Sequence, residues 1–315
     1  MSFATIRPIE RADALIDVAF RKGKNRVANF KVQSKEYVLK QRELERVRMA
    51  AMCADLIKRF DAILCDFPRL DELSLFYHEL VLCTLDYNQV KKSLGAMKWA
   101  RGKIESFSRE YQYKVSRCEA VSKMREYRQS LYGRIASVVK QVDKHLLCLE
   151  HARKIIVEFP VIKKMNTIAL IGFPNVGKTT LLSKLTGSTP DIAVYSFTTK
   201  GLNIGYLTHG KKKVQIIDTP GTLNRLDKMN AIEKQAYLAI KHVADLIIYI
   251  FDPTEEYSMH DQIALYTAIK GFEKPMLVFA SKTDLVSDES VECLVQRFNA
   301  VTNIELLIRL VKKRF

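Results

Sequence analysis

The stretch that most constrains this chain is Gly172-Phe173-Pro174-Asn175-Val176-Gly177-Lys178-Thr179-Thr180, a Gly-x-x-x-x-Gly-Lys-Thr pattern. It follows an apolar run, Thr167-Ile168-Ala169-Leu170-Ile171, and precedes Leu181, Leu182 and Leu185 at helical spacing. A loop between a buried strand and a helix lets the backbone N–H groups of residues 174–179 converge at the positive end of the helix dipole, which makes an anion site. In such a loop Lys178 reaches the terminal phosphates of a nucleotide and the Thr179 hydroxyl is a magnesium ligand.

The chain beyond the loop alternates strands and helices. Leu202 to Thr208, Lys213 to Asp218, Leu246 to Asp252 and Met276 to Ser281 are short apolar runs of the buried-strand type. Residues 166–315 are therefore expected to form an α/β P-loop domain, a doubly wound and mostly parallel sheet with nucleotide at the carboxyl ends of its strands. Lys211-Lys212-Lys213 reads as a solvated hairpin turn after Gly210.

Further motifs stand at telling distances from the loop. Asp218-Thr219-Pro220-Gly221 closes a strand, where Asp218 holds magnesium through water and the Gly221 N–H meets the γ-phosphate. Between the two lies Tyr195-Ser196-Phe197-Thr198-Thr199, read as the switch segment with Thr199, or else Thr198, supplying a second hydroxyl to the metal. Ser281-Lys282-Thr283-Asp284 stands where guanine-nucleotide binders carry Asn-Lys-x-Asp. The Asp284 carboxylate accepts from guanine N1–H and the N2 amino group, which adenine does not offer, so GTP and GDP are the expected ligands. Ser281 in place of asparagine is expected to weaken affinity more than specificity, and a relaxation toward ATP is a further alternative. A last base contact is placed at Asn299-Ala300-Val301, with little room after Asp284 for a full helix and strand.

Two positions bear on rate. Thr222 and Leu223 follow Gly221, where many signalling GTPases place a glutamine, so slow intrinsic hydrolysis is expected. Asn175 stands where potassium-stimulated GTPases hold a monovalent cation. The catalytic set read from the sequence is Lys178, Thr199, Gly221 and Asn175, with Mg2+ as cofactor and K+ as an accelerating ion.

Residues 1–160 read as an all-α helical bundle, with few glycines and 3.6-residue periodicity. Helices are expected from Ser34 to Cys65, from Asp71 to Leu85, and from Tyr87 to Glu119 with a break near Gly95. A last helix carries Ile135, Val138, Val139, Val142, Leu146 and Leu149 as one stripe and ends at Phe159-Pro160. Residues 1–165 hold 33 Lys and Arg against 20 Asp and Glu, net +13, whereas residues 166–315 hold 18 against 15, net +3. An excess of this size favours polyanionic partners. Between Lys98 and Arg134, Lys103, Arg109, Lys114, Arg117, Lys123, Arg125 and Arg128 alternate with Phe107, Tyr111, Tyr113, Tyr127 and Tyr132, a pattern that suits RNA unless the rings form the bundle core.

The chain has no run of 18 apolar residues and no apolar signal core near Met1, so neither a membrane span nor secretion is indicated. Its six cysteines stand singly, without a Cys-x-x-Cys pair, as small core side chains of a reducing compartment, and its six histidines are scattered.

With these motifs in hand, the chain resembles the nucleolar GTP-binding protein 1 family, a branch of the Obg-like GTPases. The resemblance spans roughly residues 15–284. It includes Phe76-Tyr77-His78-Glu79-Leu80, Lys92-Ser93-Leu94-Gly95 and Ser116-Arg117-Cys118, then Gly172 to Thr180, Phe197 to Lys200, Asp218 to Gly221, and Asn230 to Gln235. It implies a GTP-hydrolysing factor in assembly of the large ribosomal subunit, with the helical domain on ribosomal RNA, the GTPase domain as checkpoint, and other assembly factors as partners. The long carboxy-terminal extension of eukaryotic members is not in this sequence, so the resemblance implies an archaeal, cytoplasmic member; a nucleolar location would follow only for a eukaryotic one. The alternative is an Obg-like regulator whose helical domain binds a protein.

Overall fold

The computed structural model describes residues 3, 6–32, 36–69, 72–186, 203–209, 212–219, 231–254 and 256–315, with side chains of 209 and 231–235 not described. Contacts divide the chain into two compact units, one of residues 3–72 and 85–157 and one of residues 73–84 and 158–315.

The first unit is helical: α1 Ala12–Ala28, α2 Tyr37–Asp66, then, after an excursion into the other unit, α4 Tyr87–Ser116, α5 Val121–Gln141 and α6 Asp143–Val157. The second and third of these have 30 residues each, about 45 Å at 1.5 Å per residue. Antiparallel packing is written in the cross-links between them: Arg42 donates to the Cys118 carbonyl, Arg46 to Gln112 and Arg101 to Asp61, so position rises on α2 as it falls on α4. Met49, Met52, Leu56 and Phe60 of α2 face Met97, Ala100 and Ile104 of α4, all fully buried. Flexible methionines fill this irregular interior well.

Two expectations are corrected here. α4 runs unbroken through Gly95, which is exposed on the outer face; one glycine in a helix costs about 1 kcal/mol, and packing of the opposite face offsets it. The last helix is two helices. Val142 leaves helical geometry (φ −96°, ψ 5°) while the buried stripe from Ile135 to Leu149 continues across the break. Asp143, the first residue of α6, is clamped by the Arg11 guanidinium (2.5 Å) and the Ala12 N–H (2.9 Å). That clamp fixes the amino-terminal segment and holds the Asp143 carboxyl down at about 2.

The short helix α3, Leu75–Thr84, belongs to the second unit. It buries Phe76, Tyr77, Leu80 and Val81, and packs on α8, Ala231–His242. The Glu79 carboxylate lies 3.1 Å from Lys241 Nζ and 3.0 Å from His242 Nε2, and these two partners, His242 foremost, hold it below the ordinary range. The Tyr77 hydroxyl donates to the Pro160 carbonyl (2.8 Å) and accepts the Ile162 N–H (2.9 Å), tying α3 to the segment entering the sheet.

The sheet has the order β2-β3-β1-β4-β5, with β1 Thr167–Ile171, β2 Asn203–His209, β3 Lys212–Asp218, β4 Leu246–Phe251 and β5 Met276–Ala280. All neighbours are parallel except the β2–β3 hairpin. β1 and β4 are buried along their whole length, as central parallel strands are. α7 Lys178–Thr186, α9 Met259–Lys270, α10 Asp288–Phe298 and α11 Ile304–Arg314 complete the α/β unit. After Asp284 the helix is complete and the strand is what shrinks: Val301 alone pairs with Phe279, in parallel.

Candidate functional site

Four parallel strands end on one edge, and the marked residues follow their carboxyl ends: Gly172 after β1, Asp218 closing β3, Asp252 after β4 and Ser281 after β5. The register Leu170↔Asp218 and Phe251↔Ala280 puts these ends level. This is the crevice in which open α/β sheets bind ligands.

The loop curls because Asn175 (φ 61°) and Gly177 (φ 89°) adopt left-handed backbone. Gly172 is required by close approach: a Cβ there would lie 2.7 Å from the Ile250 carbonyl and 2.9 Å from Val176. Phe173 and Val176 are buried, Phe173 against the Tyr257 ring at 4.9 Å, and Pro174 is half-buried between them. Lys178 opens α7 and folds its ammonium back onto the Gly172 (3.1 Å) and Phe173 (2.5 Å) carbonyls. Burial lowers its pKa to about 8, against a smaller pull upward from Asp218. Thr180, next along the helix, is exposed.

The Thr179 hydroxyl donates to Asp218 Oδ2 at 2.7 Å, and Asn203 Nδ2 donates to the same oxygen at 3.1 Å. Asp218 Oδ1 is buried and has no hydrogen-bond partner among the described residues. An orphaned carboxylate oxygen beside a hydroxyl is the hard-oxygen donor set that magnesium takes, so these residues fit the ion. Thr219 is structural, its hydroxyl bonding the Leu170 carbonyl at 2.7 Å. Phe197, Thr198, Thr199, Pro220, Gly221, Thr222 and Leu223 lie outside the described residues.

Residues that the sequence does not mark knit the loop to the segment that follows β5. Asp252 is 1% exposed, and the Gln262 amide grips its backbone N–H (2.9 Å) and carbonyl (2.8 Å). Burial pushes the Asp252 pKa up, but Lys282 (2.7 Å) and two bonds from Thr254 outweigh it and leave the carboxyl below its ordinary value. Glu256 stands 3.6 Å from the same Lys282 and accepts from Asn175 Nδ2 at 2.8 Å. Because a carboxylate only accepts, the Asn175 amide nitrogen must face Glu256, which frees its oxygen for another partner. The signal for Asp252 was its place, an acid ending an apolar strand. Asn203 gave none, since only strand register pairs it with Asp218.

Ser281 bonds the Phe251 carbonyl (3.1 Å), and its Cβ lies 4.0 Å from where a Cβ on Gly177 would stand. Lys282 is left-handed (φ 51°) and Asp284 is exposed in the one-turn helix Thr283–Leu285. Asn299 caps α10 with left-handed backbone and Ala300 is buried, both upstream of the Val301 pairing. The carboxyl side of that pairing carries Thr302 and Asn303, whose side chain caps α11 through Glu305 and Leu306 N–H. The topology thus brings the phosphate loop, Asp218 and Ser281–Asp284 together and sets Asn299–Ala300 on the far side of the bridge.

The family model described as NOG1 N-terminal helical domain matches residues 3–163, more than half of the chain. The chain belongs to the nucleolar GTP-binding protein 1 family. The 50S ribosome-binding GTPase model matches residues 167–282, so this family member carries a GTPase domain on the sheet just described. The Uncharacterized protein MJ1408 of Methanocaldococcus jannaschii is 33% identical over 92% of this chain and 83% of its own length. Nucleolar GTP-binding protein 1 of Drosophila melanogaster is 30% identical over 74% of this chain, which spans only 37% of that relative's length. Among solved structures, the FeoB G-domain from Methanococcus jannaschii is 25% identical, covering 48% of this chain and 97% of that one at a TM-score of 0.36. No helix among the described residues is long and apolar enough to cross a membrane.

Proposed function

We propose that this member of the family is a GTP-hydrolysing switch in large ribosomal subunit assembly, with its helical unit on ribosomal RNA, acting in the cytoplasm. The observation that carries the reading is the meeting of three chemistries on one sheet edge: the Lys178 ammonium inside the loop, the Thr179–Asp218 pair, and the Ser281–Asp284 strand end. Lys178 exchanges its two carbonyls for phosphate oxygens. Thr179 and Asp218 are the residues that would hold magnesium, which when bound would neutralise phosphate charge. Asp284, exposed and without an ion pair among the described residues, is open to guanine. Thr302 and Asn303, rather than Asn299 and Ala300, face the base from the last strand end.

Asn175 supports a potassium response, because Glu256 turns its amide nitrogen away and leaves the oxygen as a cation ligand. Thr199 and Gly221 complete the set by sequence position.

The test is phosphate release from GTP by the full chain, in potassium and in sodium chloride, beside displacement of labelled GDP by ADP. Hydrolysis that is slow, faster in potassium and undisturbed by ADP is expected. Displacement by ADP as readily as by GTP would overturn the guanine assignment, and equal rates in the two salts would remove potassium. Crosslinking in cells with mapped RNA sites tests the ribosomal half, which falls if no large-subunit RNA is recovered.

A further inference from the structure

The helical unit holds 31 Lys and Arg against 18 Asp and Glu, but its cations are unevenly engaged. Arg7, Arg11, Arg59, Arg101, Arg128 and Arg153 all bond carboxylates that tie the bundle together. Lys91, Lys92, Lys98 and Lys103 of α4 are exposed and have no carboxylate partner among the described residues. No acidic residue occurs from Tyr87 to Ile104.

Helical spacing gathers these lysines on one outward face. Along the middle of that face run Gly95, Trp99, Gly102 and Tyr113, all exposed. Trp99 is 43% and Tyr113 56% exposed, and the Arg117 guanidinium lies 4.5 Å over the Tyr113 ring. Fourteen residues separate the two rings, about 21 Å along the axis. Other aromatics of the basic segment point elsewhere: Tyr111 is buried, Tyr132 stacks on Phe20 at 4.3 Å, and Tyr127 sits edge-on to Tyr111 at 6.4 Å.

The glycines are the second observation. A glycine inside a helix is less stable than alanine, and a Cβ on Gly95 or Gly102 would meet nothing within 4 Å among the described residues. Packing among the described residues therefore does not require either one. What their bareness provides is a strip of uncovered backbone between lysines.

We propose that this face of α4, from Lys91 to Tyr113, is where the helical unit takes RNA with unpaired bases. Trp99 and Tyr113 stack bases, the four lysines meet phosphates, and the nucleic-acid backbone lies against Gly95 and Gly102. An exposed indole among lysines on an acid-free stretch, with an exposed phenol under the Arg117 guanidinium further along the helix, is the single-strand arrangement, since every base has a face to stack while the charge is met by phosphate. The proposal rests on the reading that this unit binds RNA, and it names the surface.

The experiment uses the full chain and a fluorescein-labelled, unstructured RNA 20-mer of mixed sequence, with its duplex as control, across a potassium chloride series. The single strand is expected to bind more tightly than the duplex. K91A/K92A/K98A/K103A should flatten the log–log salt dependence by about 3, at ~0.7 for each phosphate no longer neutralised. W99A/Y113A should weaken binding about tenfold with the slope unchanged. G95Q/G102Q should raise the thermal midpoint, since glutamine is the better helix former, and yet weaken RNA binding. A glycine variant that is more stable and binds RNA as the parent does, with the lysine and aromatic variants also unchanged, overturns the α4 face while leaving RNA binding by another surface. A parent chain that binds neither RNA form overturns the underlying reading and this proposal with it.

Discussion

Lys178 is stored in the loop as a buried ammonium on two carbonyls, at a pKa of about 8 instead of the ordinary 10.5. Its folded pKa lies below its unfolded one, so the folded chain binds fewer protons between about pH 8 and 10.5, and through this group stability rises with pH across that window. Phosphates bound at Lys178, as proposed, would raise the pKa again, so nucleotide binding above pH 8 is expected to take up a proton. GDP affinity should therefore fall as pH rises from about 8 to 10, by up to tenfold per unit, and calorimetry at pH 8.5 in two buffers of different ionisation enthalpy should register that proton. Ser281 makes a second prediction. Its side chain ends at the Phe251 carbonyl, close to Gly177 yet a side-chain amide short of the loop. S281N should tighten GDP binding by roughly 2- to 12-fold, the worth of one net hydrogen bond, read from the dissociation rate of a fluorescent analogue. At this scale the sequence was legible in position: Gly172–Thr180, Asp218 and Lys282–Asp284 stand at or just after strand ends on one sheet edge, as their spacing along the chain implies. Asn203, Asp252 and Glu256 were hidden because register and tertiary approach, not neighbours in sequence, give them their partners.

Among the elements, α3 behaves least as its place in the chain implies. Its four buried side chains and the Tyr77 hydroxyl serve the α/β unit, although the helices on either side of it in sequence serve the bundle. Y77F leaves the buried Ile162 N–H without that acceptor and should cost about 1–3 kcal/mol in urea unfolding, with the cooperative transition retained. Periodicity alone locates helices and does not say which core receives them, so α3 was visible as a helix and invisible as a graft. The split between α5 and α6 was hidden for a related reason: the apolar stripe runs through Val142, and the break is marked by Asp143, whose partner Arg11 is 132 residues away.

For the whole molecule, the chain passes between its two units at residues 72–73, 84–85 and 157–158, so a cut at 160 does not separate them cleanly. In a fragment of residues 1–160, amide exchange of 75–84 should be fast while α2 and α4 stay protected; equal protection of all three would show that α3 holds without α8. The charge divides along the same units, +13 on the helical one, so the long-range attraction for polyanions falls on one part of the molecule and the phosphate loop lies in the other. The graft also imposes a schedule on synthesis. Thr84 leaves the peptidyl transferase centre 147 residues before Ala231. At 5–20 residues per second the apolar side of α3 waits roughly 7–30 s for the helix that covers it. During that interval Phe76, Leu80 and Val81 lack the helix that covers them in the finished fold, and α3 is the part of the nascent chain most exposed to off-pathway association.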